Sequence, residues 1–184
     1  MRRTGRGKGA GRMKRLTVLR HAKSSWDDQS LDDFNRPLND RGWKAARRIG
    51  KEMKHRKMRF DYAVASTAAR VRETIDGVIE TYGQPDFPIH FDARIYMAST
   101  ATLLAVVRGI PDQAERALLV GHNPGLEQLI VALTKDDHEG LRARVAGRYP
   151  TGALAIMKLD IGTWSDLKAG SGKLTELIMP RDLD

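Results

Sequence analysis

Two rhythms of apolar and polar positions alternate along this chain. Short β-prone runs recur, and most are followed by a longer stretch whose apolar residues fall three and four apart. The first run, around Leu16-Thr-Val-Leu19, predicts a strand over residues 15–20. Residues 23–37 then show no period and read as a loop, long enough in a compact domain to suggest a functional role. Asn39 has the chemistry of an N-cap, and Trp43, Ala46, Ile49, Gly50 and Met53 mark the buried stripe of a helix reaching about Lys57. A second strand is expected over residues 60–65, with Ser66 or Thr67 capping a helix that Gly83 and Pro85 end. A short strand over 87–91 follows, then a helix opened by Ser99 and stopped near Gly109-Ile-Pro111. Residues 116–120 make a fourth strand, and Pro124 opens a helix through Leu126, Leu129, Ile130 and Leu133. Basic, glycine-bearing sequence over 135–150 reads as a surface excursion. Two last strands, 153–159 and 174–179, are expected as an antiparallel edge and its neighbour. Strands alternating with helices predict an α/β protein: a three-layer α/β/α domain around a mostly parallel sheet.

In such sheets ligands bind beyond the carboxyl ends of the strands. The first strand runs directly into Arg20-His21, the second into Ser66-Thr-Ala-Ala-Arg70, and the fourth into Gly121-His122-Asn123. Two histidines and two arginines at one sheet edge suit the transfer of a phosphoryl group, which needs an aligned nucleophile and fixed positive charge around its oxygens. Imidazole is neutral enough near pH 7 to attack, and neighbouring cations keep its lone pair free. Guanidinium binds phosphate through two parallel hydrogen bonds and does not lose its charge. His55, among Lys54, Arg56 and Lys57, is expected on a solvated face; His90 lacks matching partners. Asp136, Asp137, His138 and Glu139 are consecutive and poorly placed to converge on one ion, so they read as surface loop.

Charge changes the picture less than its total suggests. Of a formal net charge of +9, five units come from Arg2, Arg3, Arg6, Lys8 and Arg12, in a Gly- and Arg-rich segment without acid. Residues 1–12 are therefore expected to be a disordered basic tail, with an ordered domain over 13–184 and Met13 a candidate start. No specific nucleic-acid role is expected from it. The chain has no cysteine, and nothing in it matches a secretory leader or a transmembrane run. A cytoplasmic protein, monomeric and without membrane association, is the expectation.

The motifs Leu19-Arg20-His21-Ala22, Ser66-Thr-Ala-Ala-Arg70-Val-Arg-Glu-Thr74 and Gly121-His122-Asn123 resemble the signature of the histidine phosphatase (phosphoglycerate mutase-like) superfamily. Arg20-His-Ala-Lys-Ser-Ser-Trp26, Asp33-Phe-Asn-Arg36-Pro-Leu-Asn-Asp-Arg-Gly42 and Val120-Gly-His-Asn-Pro-Gly125 are most similar to its short, SixA-like phosphohistidine phosphatases. The resemblance spans residues 15 to about 180. It implies a phosphoglycerate mutase-like fold, His21 as a nucleophile that becomes transiently phosphorylated, and His122 as a second, stabilising histidine. Arg20, Arg70 and Arg36 would bind the phosphoryl oxygens. The Arg-x-x-x-Thr spacing to Thr74 favours Arg70 over Arg72, which should face another way on a helix. No metal or cofactor is called for. Many superfamily members carry a carboxylic acid that protonates the leaving oxygen, in one group directly after the second histidine, where this chain has Asn123. Asp32, Asp33 and Asp92 are the nearby acids, with nothing in the sequence to fix them. A P–N substrate would need no such acid, so a phosphorylated protein bearing phosphohistidine is the expected partner. Alternatives are a phosphatase of small phosphoesters, such as sugar or nucleotide phosphates, and a non-catalytic phosphate-binding module.

Overall fold

The computed structural model describes residues 13–135 and 139–183. The basic tail lies outside the described residues, as do Asp136, Asp137 and His138. Strand β1 (Lys14–Arg20) is flanked on both sides, by β4 (Arg116–Gly121) in parallel and by β5 (Leu154–Leu159) antiparallel. Outside β4 come β2 (Tyr62–Ala65) and β3 (Ile89–Phe91), both parallel to it; outside β5 lies the antiparallel edge strand β6 (Gly172–Ile178). The order is β3-β2-β4-β1-β5-β6.

Alternation along β1 divides the core between two faces. Leu16 and Val18 pack with α3 (Thr100–Arg108), α4 (Gly125–Leu133), α5 (Leu141–Gly147) and the fully buried Trp164. Leu19 points the other way, onto α1 (Asp40–His55) and α2 (Ala69–Tyr82) through Ile49, Met53, Val71 and Ile75. This is the three-layer α/β/α arrangement read from the sequence, and burial on both faces explains why the apolar residues Val18 and Leu19 are adjacent in β1 rather than alternating with polar ones. No helix among the described residues is long and apolar enough to cross a membrane.

Asn39 caps α1 as expected, its side chain accepting from the Gly42 amide at 2.8 Å. Gly42 is required there: a Cβ would stand 2.1 Å from the Lys23 carbonyl oxygen, so the first turn of α1 lies directly against the loop after β1. Three local expectations are corrected. Neither Ser66 nor Thr67 caps α2, which starts at Ala69 with Ala68 at the N-cap; the Ser66 hydroxyl faces His122 instead. Residues 135–150 are more than a surface excursion. Leu141, Val145 and Tyr149, four apart, seat α5 and its end against the core, and Val145 and Tyr149 are buried. Trp43 is only half-buried; Gly42 takes its expected place in the buried stripe of α1.

Candidate active site

The parallel strands β1, β2 and β4 end at one edge of the sheet, and their three following loops open into a cleft of about 440 Å³. Arg20, His21, Arg36, Arg70 and His122 all line it, so every residue singled out for phosphoryl chemistry is brought together. The two imidazoles have ring centroids 5.2 Å apart.

His21 is buried, and its Nδ1 lies 2.7 Å from the Ala22 carbonyl oxygen. A carbonyl only accepts, so Nδ1 carries the ring hydrogen and Nε2 keeps its lone pair. Arg70 Nε donates to that Nε2 at 3.3 Å. Burial, reinforced by the adjacent His122, Arg70 and Arg20, pushes the His21 pKa down to about 3. The ring is therefore neutral and nucleophilic at pH 7. Burial together with Arg70 and Arg20 lowers His122 to about 4. Its Nε2 is 2.8 Å from the Ser66 hydroxyl, and its Nδ1 is buried without a protein partner.

Each arginine is held by neighbours. Arg70, on the first turn of α2, is buried, and its backbone carbonyl accepts from the Thr74 hydroxyl one turn later, at 2.6 Å. That hydroxyl also accepts from the Ala22 amide at 3.0 Å, tying α2 to the residue after the nucleophile candidate. Arg20 Nη1 donates to the Tyr149 carbonyl at 2.8 Å while its buried Nε has no protein partner; burial lowers its pKa from the ordinary guanidinium value. Arg36 Nε donates to the Ser25 carbonyl, one terminal nitrogen donates to the Ser24 hydroxyl, and the guanidinium carbon lies 3.2 Å from the centroid of the Trp26 ring. Arg72 faces away, donating to the Thr67 carbonyl and packing on Phe91.

Asp33 is more firmly placed than the sequence suggested. Its carboxylate accepts from Arg36 at 2.9 Å, from Arg70 at 3.0 Å and from the Tyr96 hydroxyl at 2.7 Å. The Tyr96 hydroxyl first, then Arg70 and Arg36, holds its carboxyl below the ordinary range. It is the one carboxylate among the described residues lining the cleft, and it is ionised. Asp32 instead caps a short 3₁₀ turn through the Asn35 amide, and Asp92 pairs with Arg94. His55 and His90 are exposed and remote from the cleft lining. Sequence reasoning missed Tyr96, which also meets the His122 ring edge-on at 5.4 Å, and Tyr149, whose hydroxyl donates to the Val18 carbonyl. The four-residue spacing of Leu141, Val145 and Tyr149 was a readable signal for the latter.

The family model described as the histidine phosphatase superfamily (branch 1) matches residues 16–96, taking in Arg20, His21, Arg36 and Arg70. Beyond that segment, the fold superposes on a candidate phosphohistidine phosphatase SixA from Nakamurella multipartitia with a TM-score of 0.78, at 25% identity over 91% of this chain and 96% of that one. By that segment and that fold together the chain is similar to the histidine phosphatase superfamily. Within the superfamily it is SixA-like: a second candidate SixA, from Agrobacterium tumefaciens, gives a TM-score of 0.75 at 28% identity over 91% of this chain and 98% of that one. An uncharacterised Mycobacterium tuberculosis protein is 28% identical over 165 residues, covering 89% of this chain and 100% of its own. The architecture is the phosphoglycerate mutase-like fold. The superfamily assignment carries phosphatase chemistry through a histidine.

Proposed function

We propose that this histidine phosphatase removes the phosphoryl group from phosphohistidine on another protein. The observation that carries the proposal is the state of His21: a neutral ring whose Nδ1 hydrogen is engaged by Ala22, leaving Nε2 to attack among three guanidinium groups and a second imidazole. Nε2 of His21 attacks phosphorus in line, the bond from phosphorus to the leaving atom breaks, and a phosphohistidine forms on the enzyme. Water then attacks that phosphorus, the P–Nε2 bond breaks, and inorganic phosphate leaves with His21 restored. Arg20, Arg36 and Arg70 hold the non-bridging oxygens, and His122 donates to the phosphoryl group as charge shifts onto it. Guanidinium groups supply the positive charge that a metal would otherwise bring, so the reaction proceeds without one.

The leaving group is what favours phosphohistidine over a phosphoester. An alkoxide must be protonated as it departs, and the lining carboxylate, Asp33, is already ionised and shared between two arginines and Tyr96. Imidazole phosphorylated on one nitrogen and protonated on the other departs neutral and needs no such acid. Rapid quenching during turnover of a phosphohistidine carrier protein should trap an acid-labile, base-stable phosphoenzyme on His21. Label on serine or aspartate would overturn the mechanism. Faster turnover of sugar or nucleotide phosphates than of the carrier would overturn the substrate.

A further inference from the structure

Beside the catalytic cleft runs a second, larger groove of about 870 Å³, and the two share Lys23 and Thr151 in their walls. One wall is the exposed face of α1, where Arg41, Lys44 and Arg48 recur at the three- and four-residue spacing of a single helix face. The other is α5 and its end, which present Arg144 and Arg148. Arg181, from the C-terminal turn, adds a further cation and meets Asp182 at 3.8 Å. Among the described residues no carboxylate lines the groove. Between the cations the surface is aliphatic, formed by Ala45, Pro150, Met179 and Pro180, and no aromatic ring is among the described residues that line it.

We propose that this groove docks an acidic polypeptide segment of the phosphorylated partner and so presents its phosphoryl group to His21. From Arg41 to Arg48 the cations extend along about 10 Å of helix, too far for one phosphate to span, so the ligand is a multivalent anion. The aliphatic surface suits a polypeptide, whereas single-stranded nucleic acid is usually held by aromatic rings on which bases stack. The shared wall at Lys23 and Thr151 lets one ligand occupy both depressions at once. Charge complementarity of this kind steers encounter and selects partners. The link to turnover rests on the phosphoprotein reading above; the binding of acidic polypeptide does not.

The full-length Arg41→Glu/Arg144→Glu variant tests it against Lys158→Glu/Lys173→Glu, which makes the same charge change. Lys158 and Lys173 are exposed and paired across β5 and β6; Lys158 lies opposite Arg15 of β1, at the end of the sheet away from the cleft. The probe is a fluorescently labelled decaglutamate peptide, followed by anisotropy at low salt. The groove variant should bind it at least tenfold more weakly than the parent, and the β5–β6 variant within twofold. The ratio of kcat/KM on a phosphohistidine carrier protein to that on phosphoramidate should fall at least tenfold in the groove variant alone. Equal weakening in both variants, or none in the groove variant, overturns the proposal. So does tighter, groove-dependent binding of a single-stranded oligonucleotide of equal charge. A parent enzyme that ignores the carrier while the peptide follows the expected pattern would sink the phosphohistidine reading and leave the docking groove standing.

Discussion

Strands β1, β2 and β4 of the parallel part of the sheet lead into the segments that carry Arg20, His21, Arg70 and His122, at a strand end, in a loop or on the next helix's first turn, whereas β5 and β6 deliver no charged side chain to the cleft. The contribution from the antiparallel side is main chain. The Tyr149 carbonyl accepts from Arg20 and Asn123, and the Gly152 amide donates to the carbonyls of Arg20 and His21. Parallel strands all end at the same edge, so several loops converge there from distant parts of the chain. β5, antiparallel to β1, reaches that edge at its beginning, and the segment leading into it braces Arg20 and His21. One half carries the residues proposed for the chemistry and the other holds them in register.

The largest effect that would break this division is on the proposed nucleophile. His21→Ala should lower turnover by ~10⁴-fold or more, measured under single-turnover conditions; a surviving rate near that of the parent would transfer the chemistry elsewhere. Next comes Arg70→Ala, expected to cost at least ~10² in kcat through loss of a charge-stabilising donor; a near-parental kcat would mean that Arg20 and Arg36 suffice.

Acid should then act on the same half. Both His21 and His122 are held below the ordinary histidine value, at about 3 and about 4, so the unfolded chain takes up their protons first as pH falls. Their neutral burial is without penalty above about pH 6.5, and stability is progressively lost as pH drops from there towards 4 and then 3. Thermal melts across that range should show the decline, and replacing either ring by an apolar residue should flatten it. For kcat/KM no inflection near 6.5 should arise from His21. An NMR titration that placed protonation of the His21 ring near 6.5 in the folded protein would contradict the neutral buried ring.

On the supporting half, Tyr149→Phe removes the hydroxyl that donates to Val18 and should cost about 1 kcal/mol in urea unfolding, with kcat reduced far less than by Arg70→Ala. A loss equal to that of Arg70→Ala would mean that bracing and chemistry cannot be separated. The smallest expected effect is Arg72→Ala, within about twofold in kcat/KM; as a neighbour of Arg70 on α2 that faces Phe91, it is the internal control for facing direction.

What the sequence disclosed follows the same boundary. Arg20-His21, Arg70 and His122 were legible because each sits just past an apolar strand or on the first turn of the following helix, where local pattern alone fixes position. The six-strand layering was legible for a similar reason, since short β-prone runs alternate with stretches of helical period along the chain. Asp33, Tyr96 and Tyr149 were not assigned roles, because Asp33 is joined to Arg70, Tyr96 to Asp33 and Tyr149 to Val18 across 37, 63 and 131 residues of chain. Such contacts are set by tertiary packing and leave no spacing rule. Around Tyr149 the arginines of residues 142–148 also masked a genuine four-residue apolar period. The Ser66 hydroxyl was misread for a related reason: a residue suited to capping was used by a histidine from another strand.

Arg70 Nε has a single hydrogen, and in the resting protein it lies against the lone pair of His21. An incoming phosphoryl oxygen that claims this hydrogen strips the cover from the ring in the same motion. On the proposed mechanism recognition and arming thus become one event, because the oxygen that takes the Arg70 hydrogen frees the lone pair that then attacks its phosphorus.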